Sequence, residues 1–382
     1  MSKHIIKYYP VGNGDTSLIK LKDNTTIITD CRIRKVEEGI FDVKKDLLDS
    51  LETNDDGNPF TDLFILTHTD QDHCFNFSKH FYKGAPDEYD PNKSDHEDKI
   101  IVDEIWVTTM LFTTDQTDDA NYIRNEVNRR KRLYKNTDIK RNERGNRLVL
   151  IGYDENSEFD NVPTYIPGDV IESINDNKLD NFSIFIHAPF KKDLEEAQAI
   201  KDRNASSIVY QGRFYDDDSN VICKIIHSGD ADHYRWKTIK EKTEKKNNED
   251  ALEWDIFLSP HHCSWSFFND TPQKDNKIPK ETSLEVLDYK LEGAKVIASC
   301  KKIENNDDNP PHYKAKEEYV DKVGKNDFYN TAEFYDDFDK PIVFEIEDTS
   351  GPKLIKSAGL FGIGISTGHK KPSRAGRQYD KL

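Results

Sequence analysis

A mixed α/β fold, in which two β/α halves share one site at their strand ends, is what this sequence predicts. Three observations predict it. Short β-rich runs separated by tight turns open the chain at 4–11, 16–21 and 25–30. A strand, turn and helix order then recurs through both halves of the chain. Finally, three separate strand ends carry His and Asp: His68, Asp70, Asp72 and His73; then Asp230; then His261 and His262.

Composition sets the outer limits. At 382 residues the chain holds one large α/β domain with insertions, or two domains. An apolar fraction of 35% is enough for a sizeable core under a very polar surface. No window approaches the roughly eighteen uninterrupted apolar residues of a membrane helix. Met1-Ser2-Lys3-His4 leads straight into an apolar run, so no secretory signal is expected. Five cysteines without paired spacing point to a reducing compartment, and the expected location is the cytoplasm. A net charge of −17 argues against a protein that coats nucleic acid generally, and leaves room for a local basic surface.

Taken in order, the first three runs form an antiparallel meander around Gly12-Asn13-Gly14-Asp15 and Lys22-Asp23-Asn24. Ile40, Val43, Leu47, Leu48 and Leu51 share one face of a helix over about 39–52. Leu63 to Thr67 reads as a short buried strand that ends in His68-Thr69-Asp70-Gln71-Asp72-His73, with a helix over 75–81 beyond. A polar loop over 84–99 and a strand over 100–108 follow. The segment 118–147 is helical in its first half and strongly basic, including Arg129, Arg130, Lys131 and Arg132. It is either a solvated helix paired to acidic neighbours or a phosphate-backbone contact surface. In the second half, strands are expected at 182–188, 206–211, 221–227, 255–258 and 295–299, with helices at 231–245 and 281–290. The tail from 353 to 382 is Gly-, Ser- and Lys/Arg-rich and is expected to be partly disordered, leaving one domain over 1–352.

The metal reading rests on cost. Two imidazoles and two carboxylates within six positions, at the end of a buried strand, crowd unpaired charge that packing does not need. A divalent metal removes that cost, and mixed His nitrogen and carboxylate oxygen donors suit Zn²⁺, Mn²⁺ or Fe²⁺. Six or seven donors from three strand ends make a two-metal site, with Asp230 placed to bridge. Alone, Ser228-Gly229-Asp230 reads as a helix N-cap.

The ordered motifs resemble the metallo-β-lactamase fold superfamily, and most of all the hydrolase domain of the ComEC DNA-uptake proteins with its free-standing bacterial relatives. His68-Thr69-Asp70-Gln71-Asp72-His73 is similar to that branch's His-x-Asp-x-Asp-His. Val11-Gly12-Asn13-Gly14-Asp15, Asn204-Ala205-Ser206-Ser207 and Pro260-His261-His262-Cys263-Ser264 match further motifs, and Thr29-Asp30-Cys31-Arg32 matches one more loosely. Asn309-Pro310-Pro311-His312 is similar to a late His-Pro stretch. The resemblance implies an αββα four-layer sandwich with metals at one edge of the paired sheets, and a basic helical insertion over about 112–150.

It further implies a first metal held by His68, Asp70 and Asn204, and a second by Asp72, His73, Asp230 and one of His261 and His262. His261 is favoured as the ligand, with His262 beside it as a transition-state contact; Asp72 and His262 are the candidate catalytic residues. Asp15, Asp30 and Thr67 are expected behind the ligands, orienting them. Asp70 stands where the wider superfamily has His, and Asn204 where a further His is usual. This harder donor set admits Mn²⁺ or Mg²⁺ beside Zn²⁺. Cys31, Cys74 and Cys263 read as packing residues, His187 as a core histidine, and Trp265, Phe267 and Phe268 as either core or stacking groups.

The expected function is metal-dependent hydrolysis of phosphodiesters by metal-activated water, with nucleic acid as substrate and Arg129–Arg132 as its contact. Alternatives are a small-molecule ester, lactone or phosphodiester hydrolase and a non-catalytic binding module. A regulatory protein partner is compatible with either, and oligomeric state is left open.

Overall fold

Alternation decides the layers. Along the strand Pro59–Ile65 and its continuation, Leu63 and Ile65 enter one apolar cluster while Phe64 and Leu66 enter another. Ile27 and Ile28 divide in the same way. Successive side chains of a strand face opposite ways, so this sheet is apolar on both faces and both must be covered.

The computed structural model describes residues 3–113, 116–152, 159, 161–347 and 351–356. It shows a mixed α/β protein with two large mixed sheets. The first runs in the order Gly351–Leu354, Ile342–Glu347, His4–Tyr8, Ser17–Lys20, Thr26–Thr29, Pro59–Ile65, Ile101–Val107, Arg147–Ile151 and Thr164–Tyr165. The second runs Phe328–Asn330, Lys290–Ala298, Trp254–Leu258, Val221–His227, Val209–Tyr215, Phe182–Ala188 and Val170–Ile171. One apolar cluster takes Ile6, Ile27 and Leu63 from the first sheet and Ile184, Tyr210, Ile225 and Ile256 from the second, so the sheets face each other across a shared core.

Helices cover the outer faces. Val43 and Leu47 of Val43–Ser50, with Ile123, Val127 and Tyr134 of Asp118–Lys135, pack on the first sheet. Trp236 and Ile239 of His233–Lys245, Val286 and Leu287 of Glu281–Asp288, and Tyr319 of Tyr313–Val323 pack on the second. No helix of the described residues is long and apolar enough to cross a membrane.

The helix of the basic segment over 112–150 is part of the cover of the first sheet, and Arg147–Ile151 pairs in parallel with Ile101–Val107. The strand expected at 206–211 starts later, at Val209, because Asn204–Ser206 closes a 3₁₀ turn. Gly351–Leu354 pairs antiparallel with Ile342–Glu347 across the boundary expected at 353; residues 357–382 lie outside the described residues.

Candidate metal centre

Parallel strands bring the donors together. Pro59–Ile65 lies parallel to both of its neighbours Thr26–Thr29 and Ile101–Val107, and Trp254–Leu258 lies parallel to Val221–His227 and Lys290–Ala298. Carboxyl ends of such strands are where α/β sheets place ligands. Thr67 to His73, Asp230, and His261 with His262 follow three of these ends. Backbone bonds join the loops: Ile208 N donates to Thr67 O at 2.9 Å, His261 N to Gly229 O at 3.1 Å, and Cys31 N to His73 O at 2.8 Å.

The backbone is strained where the donors converge. His261, His262 and Cys263 hold φ of 49°, 54° and 66°, and Asp30 holds 59°. Left-handed backbone costs an L-residue about 1–2 kcal/mol, and three in succession persist only where the surroundings impose them. The result is that both imidazoles of the His261-His262 pair face Asp230.

Asp230 divides the cluster. Its Oδ2 lies 3.5 Å from His68 Nε2 and 3.6 Å from His261 Nε2, and His68 Nε2 is 3.8 Å from Asp70 Oδ2. Its Oδ1 lies 3.1 Å from His73 Nε2 and 3.6 Å from His262 Nε2, and His262 Nε2 is 3.2 Å from Asp72 Oδ2. One carboxylate thus meets His68 and His261, near Asp70, on one side, and His73 and His262, near Asp72, on the other. Both members of the histidine pair present Nε2 to it. His262 is enclosed and His261 is 24% exposed, so the enclosed ring, rather than the favoured His261, sits with Asp72 and His73.

Behind the rings, Asp30 accepts from Thr67 N at 2.8 Å and Thr67 Oγ1 at 2.6 Å, and its Oδ2 lies 2.8 Å from His73 Nδ1. This leaves Nε2 of His73 aimed at Asp230. Asp15 lies 3.7 Å from His262 Nδ1 and 3.9 Å from His73 Nδ1. Asp15, His73, Asp230 and His262 offer ligand atoms all within 4.8 Å of one another, a group that can hold a metal ion. Because the Nε2 atoms point at Asp230, the Nδ1 contacts place Asp15 behind the rings, with Asp30. Asp119, at the start of Asp118–Lys135, accepts from Gln71 Nε2 at 3.0 Å, Asn76 N at 2.9 Å and Ser78 Oγ at 2.7 Å. The basic helix therefore braces the turn that carries Asp70 and Asp72.

Burial favours the neutral acid at Asp230, but the charges of His73, His261, His262 and His68 hold its carboxyl well below the ordinary range. Asp72 is likewise held low: burial opposes it, and the His262 hydrogen bond and the charges of His73 and His262 prevail. In return, burial lowers His262 while Asp230 and Asp15 raise it to about 10, and His73 is raised by Asp230 and Asp30 against its own burial. Without a metal these rings hold protons that a cation would displace. The donors fit such a cation: His68 Nε2 is buried with no hydrogen-bond partner, beside carboxylate oxygens.

Other expected residues fall elsewhere. The N–H of Asn204 donates to Asp202 Oδ1 at 3.1 Å, and the preceding residue, Arg203, donates to Asp70 Oδ1 at 2.8 Å. Arg130 is buried, bonded to Glu126 and to the carbonyls of Val102, Asp103 and Arg147, and Arg129 bonds Glu126, Asn146 and Gly145. The hydrogen bonds of these two, expected as nucleic-acid contacts, are made within the protein. Lys131 lies 4.7 Å over the Phe112 and Phe159 rings, and only Arg132 of the four is exposed. Cys31, Cys74 and Cys263 are buried, and burial pushes each thiol up, Cys74 to about 12. His187 is buried with its ring 4.8 Å from that of Phe185, and Trp265, Phe267 and Phe268 belong to the core of the second half. The ring of His312 lies 5.6 Å from that of Trp265, tilted by 49°.

Arg203 and Asp119 carry no sequence signal of their own beyond preceding the Asn204 motif and opening the basic segment, and Arg32 ends a loosely matched motif; only tertiary proximity shows what each one meets. The chain matches no family model, and it matches no curated protein.

Proposed function

We propose that the chain is a metal-dependent hydrolase of phosphodiesters with a dinuclear centre, built on a metallo-β-lactamase-like αββα sandwich. One observation carries the reading: Asp230 presents its two oxygens to two separate sets of donors. His68, Asp70 and His261 would hold one cation with Asp230, and Asp72, His73 and His262 the other. Divalent cations bound there supply Lewis acidity and lower the pKa of water. The chain's own residues do the rest. Asp30 and Thr67 keep His73 turned toward Asp230, and Asp15 backs His73 and His262.

The donor set supports Mn²⁺ or Zn²⁺, with Mg²⁺ less suited to the imidazoles. Nucleic acid is the larger candidate substrate. A specific observation favours a smaller one: Arg129 and Arg130, the centre of the basic stretch, are consumed by internal bonds. The test is hydrolysis of single- and double-stranded DNA, RNA and bis(4-nitrophenyl) phosphate across Mn²⁺, Zn²⁺ and Mg²⁺. Wild type is compared with Asp72→Ala and His73→Ala. Turnover lost in both variants supports the reading, and no turnover of any phosphodiester with any metal sinks it.

A further inference from the structure

Five carboxylates crowd the centre: Asp15, Asp30, Asp70, Asp72 and Asp230. Two divalent cations would leave that set one negative charge over, a poor seat for an anionic phosphodiester. Two guanidiniums reverse the sign, and they stand on opposite sides. Arg203 Nη1 donates to Asp70 Oδ1 at 2.8 Å, with the two side chains 28% and 30% exposed at the mouth. The neighbouring Asp202 is turned to the backbone N–H of Asn204.

Arg32 occupies the other side. Its backbone N–H donates to Thr16 Oγ1 at 2.7 Å and its guanidinium to Asn13 O. Partial burial lowers its pKa, and the charges of Asp72 and then Asp15 oppose that shift. Gly14 is what admits it. At φ +149° a Cβ on residue 14 would overlap both Arg32 Cδ and the Asp72 carbonyl oxygen, so only glycine lets these two close on the same loop. Arg203 therefore pairs with the partly exposed Asp70 of the metal turn, and the Arg32 side chain lies at Gly14 against the main chain of Asp72.

We propose that Arg32 and Arg203 form a two-sided clamp that seats an anionic phosphoryl group over the centre and selects it against neutral esters. This deepens the metal-centre reading and rests on it. A guanidinium matches phosphate oxygens in geometry as well as charge, which a lysine does only as a point charge.

The experiment titrates the Mn²⁺-loaded full chain with inorganic phosphate and with neutral triethyl phosphate, and measures metal content in the same samples. At equal metal occupancy, Arg32→Gln and Arg203→Gln should each weaken phosphate on the order of tenfold. The double variant should compound the two losses, Arg→Lys at either position should recover part, and triethyl phosphate should not change. A wild type that binds metal but no phosphate, or a double variant with unchanged phosphate affinity, overturns the clamp and leaves the metal centre standing. Loss of phosphate binding that follows metal loss alone, unrepaired by Arg203→Lys, also overturns it, making Arg203 a support for Asp70. Wild type that takes up no divalent metal overturns the metal centre and the clamp together.

Discussion

Two buried clusters of charge in this protein are built on opposite principles. Around Arg130 every charge has an answer: Nε donates to Glu126 at 2.8 Å, Nη1 to the carbonyls of Arg147 and Asp103, and Nη2 to that of Val102. Around Asp230 the donors gather at 3.1–3.6 Å from its oxygens, the backbone is left-handed at His261 and His262, and His68 Nε2 finds no partner. A satisfied network rigidifies a fold. An incompletely satisfied one, maintained against strain, marks a place that something else completes. The difference separates a cluster whose polar groups are answered from one whose groups are not, even though both are rich in charge.

The comparison can be broken most decisively at Asp230. Asp230→Asn should reduce affinity for divalent metal on both sides by more than about a hundredfold, since losing an orienting partner alone costs about 10- to 100-fold. Metal analysis after dialysis against Mn²⁺ or Zn²⁺ reads this directly, and two equivalents retained would refute the bridging role. Glu126→Ala makes the complementary break. It strands the buried Arg130 guanidinium, so unfolding in urea should show a loss of about 3–5 kcal/mol with metal content per folded molecule unchanged.

A smaller effect belongs to a buried ring outside both clusters. His227 is stacked on Tyr210, centroids 4.8 Å apart, and burial lowers its pKa from 6.5 to about 4. The folded ring stays neutral while the unfolded chain takes up a proton below 6.5, so stability is present above that pH and is lost as pH falls toward 4. The loss amounts to roughly 3 kcal/mol by pH 4, and His227→Phe, which keeps the stack, should flatten that acid limb. Denaturant midpoints from pH 7 to pH 4 decide it.

Asp119 links the two clusters through the helix they share. Asp119→Ala leaves Asn76 N–H buried without its acceptor and frees Gln71, so it should cost about 2 kcal/mol and weaken metal binding on the order of tenfold. The least effect is expected at the exposed Arg132. Arg132→Ala should shift stability by no more than about 0.5 kcal/mol and should leave small-phosphodiester turnover unchanged. A large loss of DNA cleavage in that variant alone would return nucleic acid to the basic helix.

Much of this was legible in the residues because periodicity and burial cost are local. The meander at 4–30, the strand before His68, and the strands at 182–188 and 221–227 follow from alternation and turn chemistry, and the structure has them with small shifts. The donors at three strand ends were legible for the same reason, since each is adjacent in sequence to the run that delivers it. What misled was charge counted along the chain. Arg129 and Arg130 read as a surface because Glu126 is the only near acid in sequence, whereas the carbonyls of Val102, Asp103, Gly145 and Arg147 that complete their bonding come from strands and a turn.

The sequence by itself determined the alternating strands, the identity of the donors and their order, because those depend on side-chain chemistry and near-neighbour spacing. Tertiary structure alone decided that Asp230 would face two donor sets, that His262 and not His261 would be the enclosed ring, and that Arg203 rather than Asn204 would reach Asp70. Each of these depends on the register between two sheets and on a few strained dihedrals, where a displacement of one residue exchanges the side chain that faces the site for one that does not.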